Sequence, residues 1–146
     1  MKYVANILKS KADAGVYAIA PTASMFEALQ LMAEKNIGSL LVKNGEAIVG
    51  IVTERDYARK IVLLGRTSPQ TPVREVMSSS VMVVSPHHTT EQCMALMTQN
   101  RLRHLPVMEG GQVLGIVSIG DLVKDIISEQ QFIIEQLEHY ITGERP

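Results

Sequence analysis

The chain has 146 residues, 46% of them hydrophobic, enough to bury one core but short for a typical enzyme joined to a regulator. With 14 basic and 15 acidic residues its net charge is −1, which excludes a broad electrostatic footprint for nucleic acid or an anionic membrane. One cysteine, Cys93, excludes an intramolecular disulfide; no run approaches the roughly 18 apolar residues of a membrane span, and Met1-Lys2-Tyr3-Val4 does not open a signal peptide, so a soluble cytoplasmic protein is expected.

In chain order, Val4 to Leu8 is a short leading segment and Val16 to Ala20 reads as the first strand. Ser24-Met25-Phe26-Glu27 has the form of a capping box, and Met25, Ala28, Leu29 and Met32 follow at helical spacing, predicting a helix to about Lys35. Ser39 to Val42 and Ala47 to Val52 flank Asn44-Gly45, a dipeptide that tolerates positive φ and predicts a tight hairpin. Thr53 introduces a second helix carrying Tyr57, Ala58, Ile61, Val62 and Leu64, ended by Gly65. Arg66 to Gln70 is a polar linker, and Thr71 to Met77 reads as a capped helical turn with proline at its first position, with Val4 to Leu8 as its counterpart.

The order then recurs. Val81 to Val84 is a strand, Thr89-Thr90-Glu91-Gln92 caps a helix, Leu105 to Met108 and Val113 to Val117 form a hairpin around Gly110-Gly111, and Ser118 opens the last helix. Pro21 to Arg59 aligns without a gap to Pro86 to Lys124, with ten identical positions in 39. The fold class is therefore α/β (α+β), as tandem β-α-β-β-α repeats packed as one pseudo-two-fold module. Residues 1–68 hold the first repeat with its leading segment and linker, 69–128 the second repeat, and 129–146 a helical extension. Ile126, Ile127, Phe132, Ile133, Ile134, Leu137, Tyr140 and Ile141 carry an apolar stripe along that extension toward Gly143, a candidate oligomer contact.

Gly50-Ile51-Val52-Thr53-Glu54-Arg55-Asp56 is echoed by Gly115-Ile116-Val117-Ser118-Ile119-Gly120-Asp121. Each places a hydroxyl, then a carboxylate three residues on, where a strand runs into a helix. One reading is structural: Thr53 and Ser118 are N-caps, and Asp56 and Asp121 favour the positive end of the helix dipole. The other is functional: free N–H groups at a helix start bind phosphate, a nearby carboxylate accepts ribose hydroxyls, and the glycine lets a planar base approach. Arg101-Leu102-Arg103-His104-Leu105-Pro106 forms a dense basic cluster that suits either a helix C-terminus or a phosphate. The matching Asn36-Ile37-Gly38-Ser39-Leu40-Leu41 carries no charge, so two sites built on these repeats should differ in affinity or ligand.

Catalytic patterns are weak. Cys93 aligns with Ala28 on an apolar helix face and reads as a core thiol, while His87-His88 has no acidic or cysteine partner at metal spacing. Neither a phosphate-loop lysine motif nor a nucleophile elbow is visible, so no enzyme activity and no metal are expected.

With both repeats and their Gly-x-x-Thr/Ser-x-x-Asp turns in hand, the chain resembles the CBS domain pair, or Bateman module, from roughly Val4 to Ser128. Val73-Arg74-Glu75-Val76-Met77, Leu105-Pro106-Val107 and Gly115 to Asp121 carry the likeness. The resemblance implies a homodimer that binds an adenosine compound (AMP, ADP, ATP, NAD or S-adenosylmethionine) in clefts between the repeats. It implies that Asp56 and Asp121 hold ribose hydroxyls, with Thr53 and Ser118 close to ribose or phosphate. Val16, Ala18, Ile19 and Ala20, and Val81, Val83 and Val84, would bracket adenine. Arg103 and His104, with Arg101 and the adjoining Pro106, would serve the cleft of Asp56, which Thr22 and Arg55 also line. Gly38 and Ser39 would face Asp121, near Gly120. The expected function is a stand-alone nucleotide sensor that acts on an effector protein in trans, with no nucleic-acid or membrane partner; the alternative is a dimeric interaction scaffold with empty clefts.

Overall fold

The computed structural model describes residues 2–11 and 16–143, which fold as two units. One comprises residues 15–82. The other joins residues 1–14 to 83–146. The leading segment of the chain thus belongs with the second repeat, and the linker after the first repeat stays with the first. The units therefore cut across the sequence segments 1–68, 69–128 and 129–146.

In the unit of residues 15–82, helix α2 (Met25–Lys35) starts where the Ser24 hydroxyl accepts the Glu27 N–H at 3.1 Å and stops where Asn36 turns left-handed at φ 54°. Strand β1 (Ala18–Ile19) runs parallel to β2 (Ser39–Asn44), which pairs antiparallel with β3 (Ala47–Thr53). Because β2 is the middle strand, its residues Ser39 to Val42 are buried consecutively, without the alternation of a one-sided sheet. The core gathers Met25, Ala28, Met32, Leu40, Val42, Val52 and Ile61, closed by Val73 and Val76 of the helical turn after the linker. Helix α3 (Glu54–Tyr57) passes into a π-helical turn at Ala58–Val62, so the single helix expected after Thr53 changes its winding midway.

The other unit repeats the plan with α4 (Thr90–Asn100), β4 (His104–Glu109), β5 (Gln112–Ser118) and α5 (Ile119–Thr142). Its leading helix is α1 (Val4–Ser10), tied to the loop before α4 by the Val4 N–H to the His88 carbonyl at 2.9 Å and the Ala5 N–H to the Pro86 carbonyl at 3.1 Å. Val4, Ile7, Cys93, Met97, Leu105, Val107, Val117 and Leu122 are buried here. Beyond Ile126, which is partly buried, α5 exposes its apolar residues: Ile133, Ile134 and Leu137 are half exposed, and Tyr140 and Ile141 more than three-quarters.

Three local expectations shift. The strand foreseen at Val16 to Ala20 contracts to Ala18–Ile19, and that at Val81 to Val84 to a single bridge between Val84 and Val107. The first hairpin loop is Gly45-Glu46, not Asn44-Gly45, since Asn44 pairs with Ala47; Gly45 alone takes positive φ, whereas both Gly110 and Gly111 do in the second hairpin. Pro72 sits at the N-cap of the turn Val73–Glu75, one residue before the position foreseen for it.

Candidate functional site

The same joint is built in each unit at the end of the hairpin. Thr53 leaves β3 extended and caps α3: its hydroxyl accepts the Asp56 N–H at 3.1 Å, while Asp56 Oδ2 accepts the Thr53 N–H at 2.9 Å. Ser118 and Asp121 reproduce this at 3.1 and 2.8 Å. The capping reading is therefore realised twice, with two backbone donors satisfied reciprocally at each helix start. Both carboxylates remain partly open, Asp56 at 18% and Asp121 at 23% side-chain exposure.

Each carboxylate also faces a lysine. Lys60, one turn along from Asp56, lies 3.4 Å from Asp56 Oδ1 and donates to the Val76 carbonyl at 2.8 Å. Lys11, just past α1, lies 3.1 Å from Asp121 Oδ2 and donates to the Ile116 carbonyl at 2.7 Å. In the second repeat the position of Lys60 is held by Asp125, which binds Lys2 at 2.8 Å; that hydrogen bond and the attraction behind it raise the pKa of the Lys2 ammonium. Sequence reasoning missed both Lys11 and Lys60. The i, i+4 spacing of Asp56 and Lys60 would have revealed one of them. Nothing in the sequence joins Lys11 to a residue 110 positions away.

The glycines before these joints serve the chain itself. A Cβ on Gly50 would lie 2.6 Å from Met77 Sδ and 2.8 Å from the Ser78 carbonyl, and one on Gly115 would lie 2.8 Å from Leu8 Cδ2. The space foreseen for a planar base is filled by neighbouring segments of the protein.

Strand register brings further foreseen residues to each joint. Ser39 pairs with Thr53, and Gly38 accepts the Glu54 N–H at 3.1 Å; His104 pairs with Ser118, and Arg103 accepts the Ile119 N–H at 2.8 Å. Inside its own unit, the basic pair Arg103-His104 thus neighbours Asp121. Gly38 borders a depression of about 450 Å³ lined by Leu29, Met32, Ala33, Asn36, Ile37 and Glu54. Val16, Ala18, Ala20, Thr22, Arg55, Val83, Arg101, Arg103 and Gly120 are exposed, Ile19 and Val81 half-buried, and Ser39, Val84 and Pro106 buried. Arg101 ends α4 in the left-handed conformation at φ 54°, as Asn36 ends α2.

Elsewhere the reactive groups are quiet. Burial pushes the Cys93 thiol up to about 11, which keeps it protonated at neutral pH. His88 Nδ1 accepts the Ser85 N–H at 2.9 Å, and His87 lies 3.5 Å from Glu109. No helix among the described residues is long and apolar enough to cross a membrane.

Residues 10–63 and 73–128 each match the profile of the CBS domain family. The chain is 37% identical to CBSX3, a mitochondrial CBS domain-containing protein of Arabidopsis thaliana, over 96% of its own length and 72% of that protein's. A solved structure from Burkholderia ambifaria, described as a signal-transduction protein with CBS domains, superposes with a TM-score of 0.84 at 52% identity, covering 88% of this chain and 96% of that one. A hexameric CBS-CP12 protein from bloom-forming cyanobacteria superposes with a TM-score of 0.76 at 31% identity, covering 84% of this chain and 66% of that one.

Proposed function

Since the chain belongs to the CBS domain family, we propose that it is a regulatory module that senses an adenine nucleotide and passes the bound state to an effector protein in trans. The observation that carries this reading is the duplicated joint itself. Two solvent-reachable carboxylates, Asp56 and Asp121, are each fixed by a capping box at the end of a strand and backed by a lysine. Fixed carboxylates suit paired ribose hydroxyls, and the cations beside them suit phosphate. Thermal unfolding against adenosine, AMP, ADP, ATP, NAD and S-adenosylmethionine tests it, because a ligand at a hundredfold excess over Kd stabilises the folded state by about 2.7 kcal/mol. Selective stabilisation by adenine compounds, reduced in steps by Asp56→Ala and Asp121→Ala, is expected. A flat response in protein freed of co-purified nucleotide would sink the reading.

A second reading, an assembly scaffold, is favoured by the exposed apolar face of α5. Here a second copy of the chain covers Ile134 and Leu137, a homodimer contact that removes that face from water. Ile134→Glu with Leu137→Glu should halve the mass seen in sedimentation without lowering helix content. An unchanged mass would exclude this contact.

A further inference from the structure

Resting on the reading that the Asp121 joint holds the ribose of a nucleotide, we infer that Lys11 is part of that site and selects a phosphorylated ligand over a neutral or cationic one. The second repeat has no lysine of its own at the place of Lys60, because Asp125 stands there. The charge is supplied from 110 residues away. The Lys11 ammonium donates to the Ile116 carbonyl at 2.7 Å and forms an ion pair with Asp121 Oδ2 at 3.1 Å. Its side chain is 27% exposed and that of Asp121 23%, so solvent, and hence a ligand, reaches the pair.

Charge decides the class of ligand. A lone carboxylate that accepts ribose hydroxyls also attracts a cation such as the sulfonium of S-adenosylmethionine. Paired with Lys11 it is neutral overall, and the ammonium, which gives one N–H to the Ile116 carbonyl, can turn another toward an acceptor on the bound molecule. A phosphate attached to the ribose brings such acceptors, and the flexible four-carbon stem of lysine lets the ammonium turn toward them while Asp121 keeps the hydroxyls. Lys60 stands in the same relation to Asp56, at 3.4 Å and with 43% of its side chain exposed, a looser version of the arrangement.

The test is calorimetric titration of AMP, adenosine and S-adenosylmethionine into the full chain carrying Asp56→Asn, which isolates the Asp121 site, with Lys11 kept or replaced by Met or Arg. Lys11→Met should weaken AMP by about tenfold or more, the range of a lost charge-assisted hydrogen bond, and shift adenosine by less than about threefold. S-adenosylmethionine should bind more tightly to the same variant, and Lys11→Arg should keep AMP within about threefold of the parent. Equal losses for AMP and adenosine would reduce Lys11 to a support for Asp121 and overturn the inference, as would unchanged AMP binding. If Lys11→Met fails to unfold cooperatively, the Arg variant decides, since a switch of its preference from AMP to adenosine would also overturn it. A parent protein that binds none of the three compounds defeats the nucleotide reading and this inference together, whereas AMP binding that ignores Lys11 defeats the inference alone.

Discussion

The two strand-to-helix joints share a hydroxyl cap and a carboxylate three residues on, and they are wired differently. At Asp56 the lysine comes from the next turn of the same helical segment; at Asp121 it comes from the chain's leading segment. After duplication, the second copy carries Asp125 at the place of Lys60, and Lys2 and Lys11 flank α1 to meet Asp125 and Asp121 of α5. The difference teaches that a repeated site can keep its electrostatics while changing which part of the chain provides them. Position in one repeat is then a poor guide to role in the other.

The largest test of equivalence is in the cores. Leu40 and Leu105 occupy matching, fully buried positions, so Leu40→Ala and Leu105→Ala should each cost about 3 kcal/mol in urea unfolding. A several-fold disparity would show that the two cores are not interchangeable. Glycine sharpens the contrast. Gly50→Ala meets the Ser78 backbone, which cannot swing aside, and should cost about 2 kcal/mol; Gly115→Ala meets only the end of Leu8 and should cost about 1 kcal/mol. Reversal of that order would mean that Met77 and Ser78 yield more readily than Leu8.

Ala28 and Cys93 are another matched, fully buried pair. Because the folded thiol titrates at about 11 against an ordinary 9.0, the unfolded chain releases its proton first as pH rises. The stability contributed by the neutral thiol is thus complete below about pH 9 and lost between about 9 and 11. Cys93→Ala should flatten stability across that window, with nothing comparable at Ala28; an unchanged alkaline slope would refute the assignment. The smallest effects belong to the lysines. Lys60→Met and Lys11→Met should each cost about 0.5 kcal/mol at low salt and less in 1 M NaCl, as measured by thermal midpoint. A salt-independent loss at either position would point to packing.

Much of this architecture is legible in the sequence because it is local. The N-caps Thr53 and Ser118 and the capping box Thr89 to Gln92 are readable from composition alone, whereas the box read at Ser24 to Glu27 keeps only its hydroxyl bond; the last helix runs to Gly143. What escaped depends on distant partners. Val81 to Val84 has the β-branched content of a strand, but just one residue of it reaches a ladder, at Val107. The π-helical turn at Ala58–Val62 carries no proline or glycine to announce it. At the candidate site, the hydroxyls and carboxylates were readable, whereas the filling of the glycine niches by Leu8, Met77 and Ser78 required the fold.

The borrowed leading segment has a consequence for biosynthesis. Helix α1 leaves the ribosome more than a hundred residues before its lodging, with Gly115 against Leu8 and Asp121 against Lys11, is made. The unit of residues 15–82 can close while the second repeat is still being translated. At about 5–20 residues per second, Val4 and Ile7 wait for several seconds, apolar and unsheltered, before their docking surface emerges. That interval is when a nascent chain of this kind is most open to a chaperone or to a neighbour on the same polysome, and it would vanish in a circular permutant that begins at residue 83.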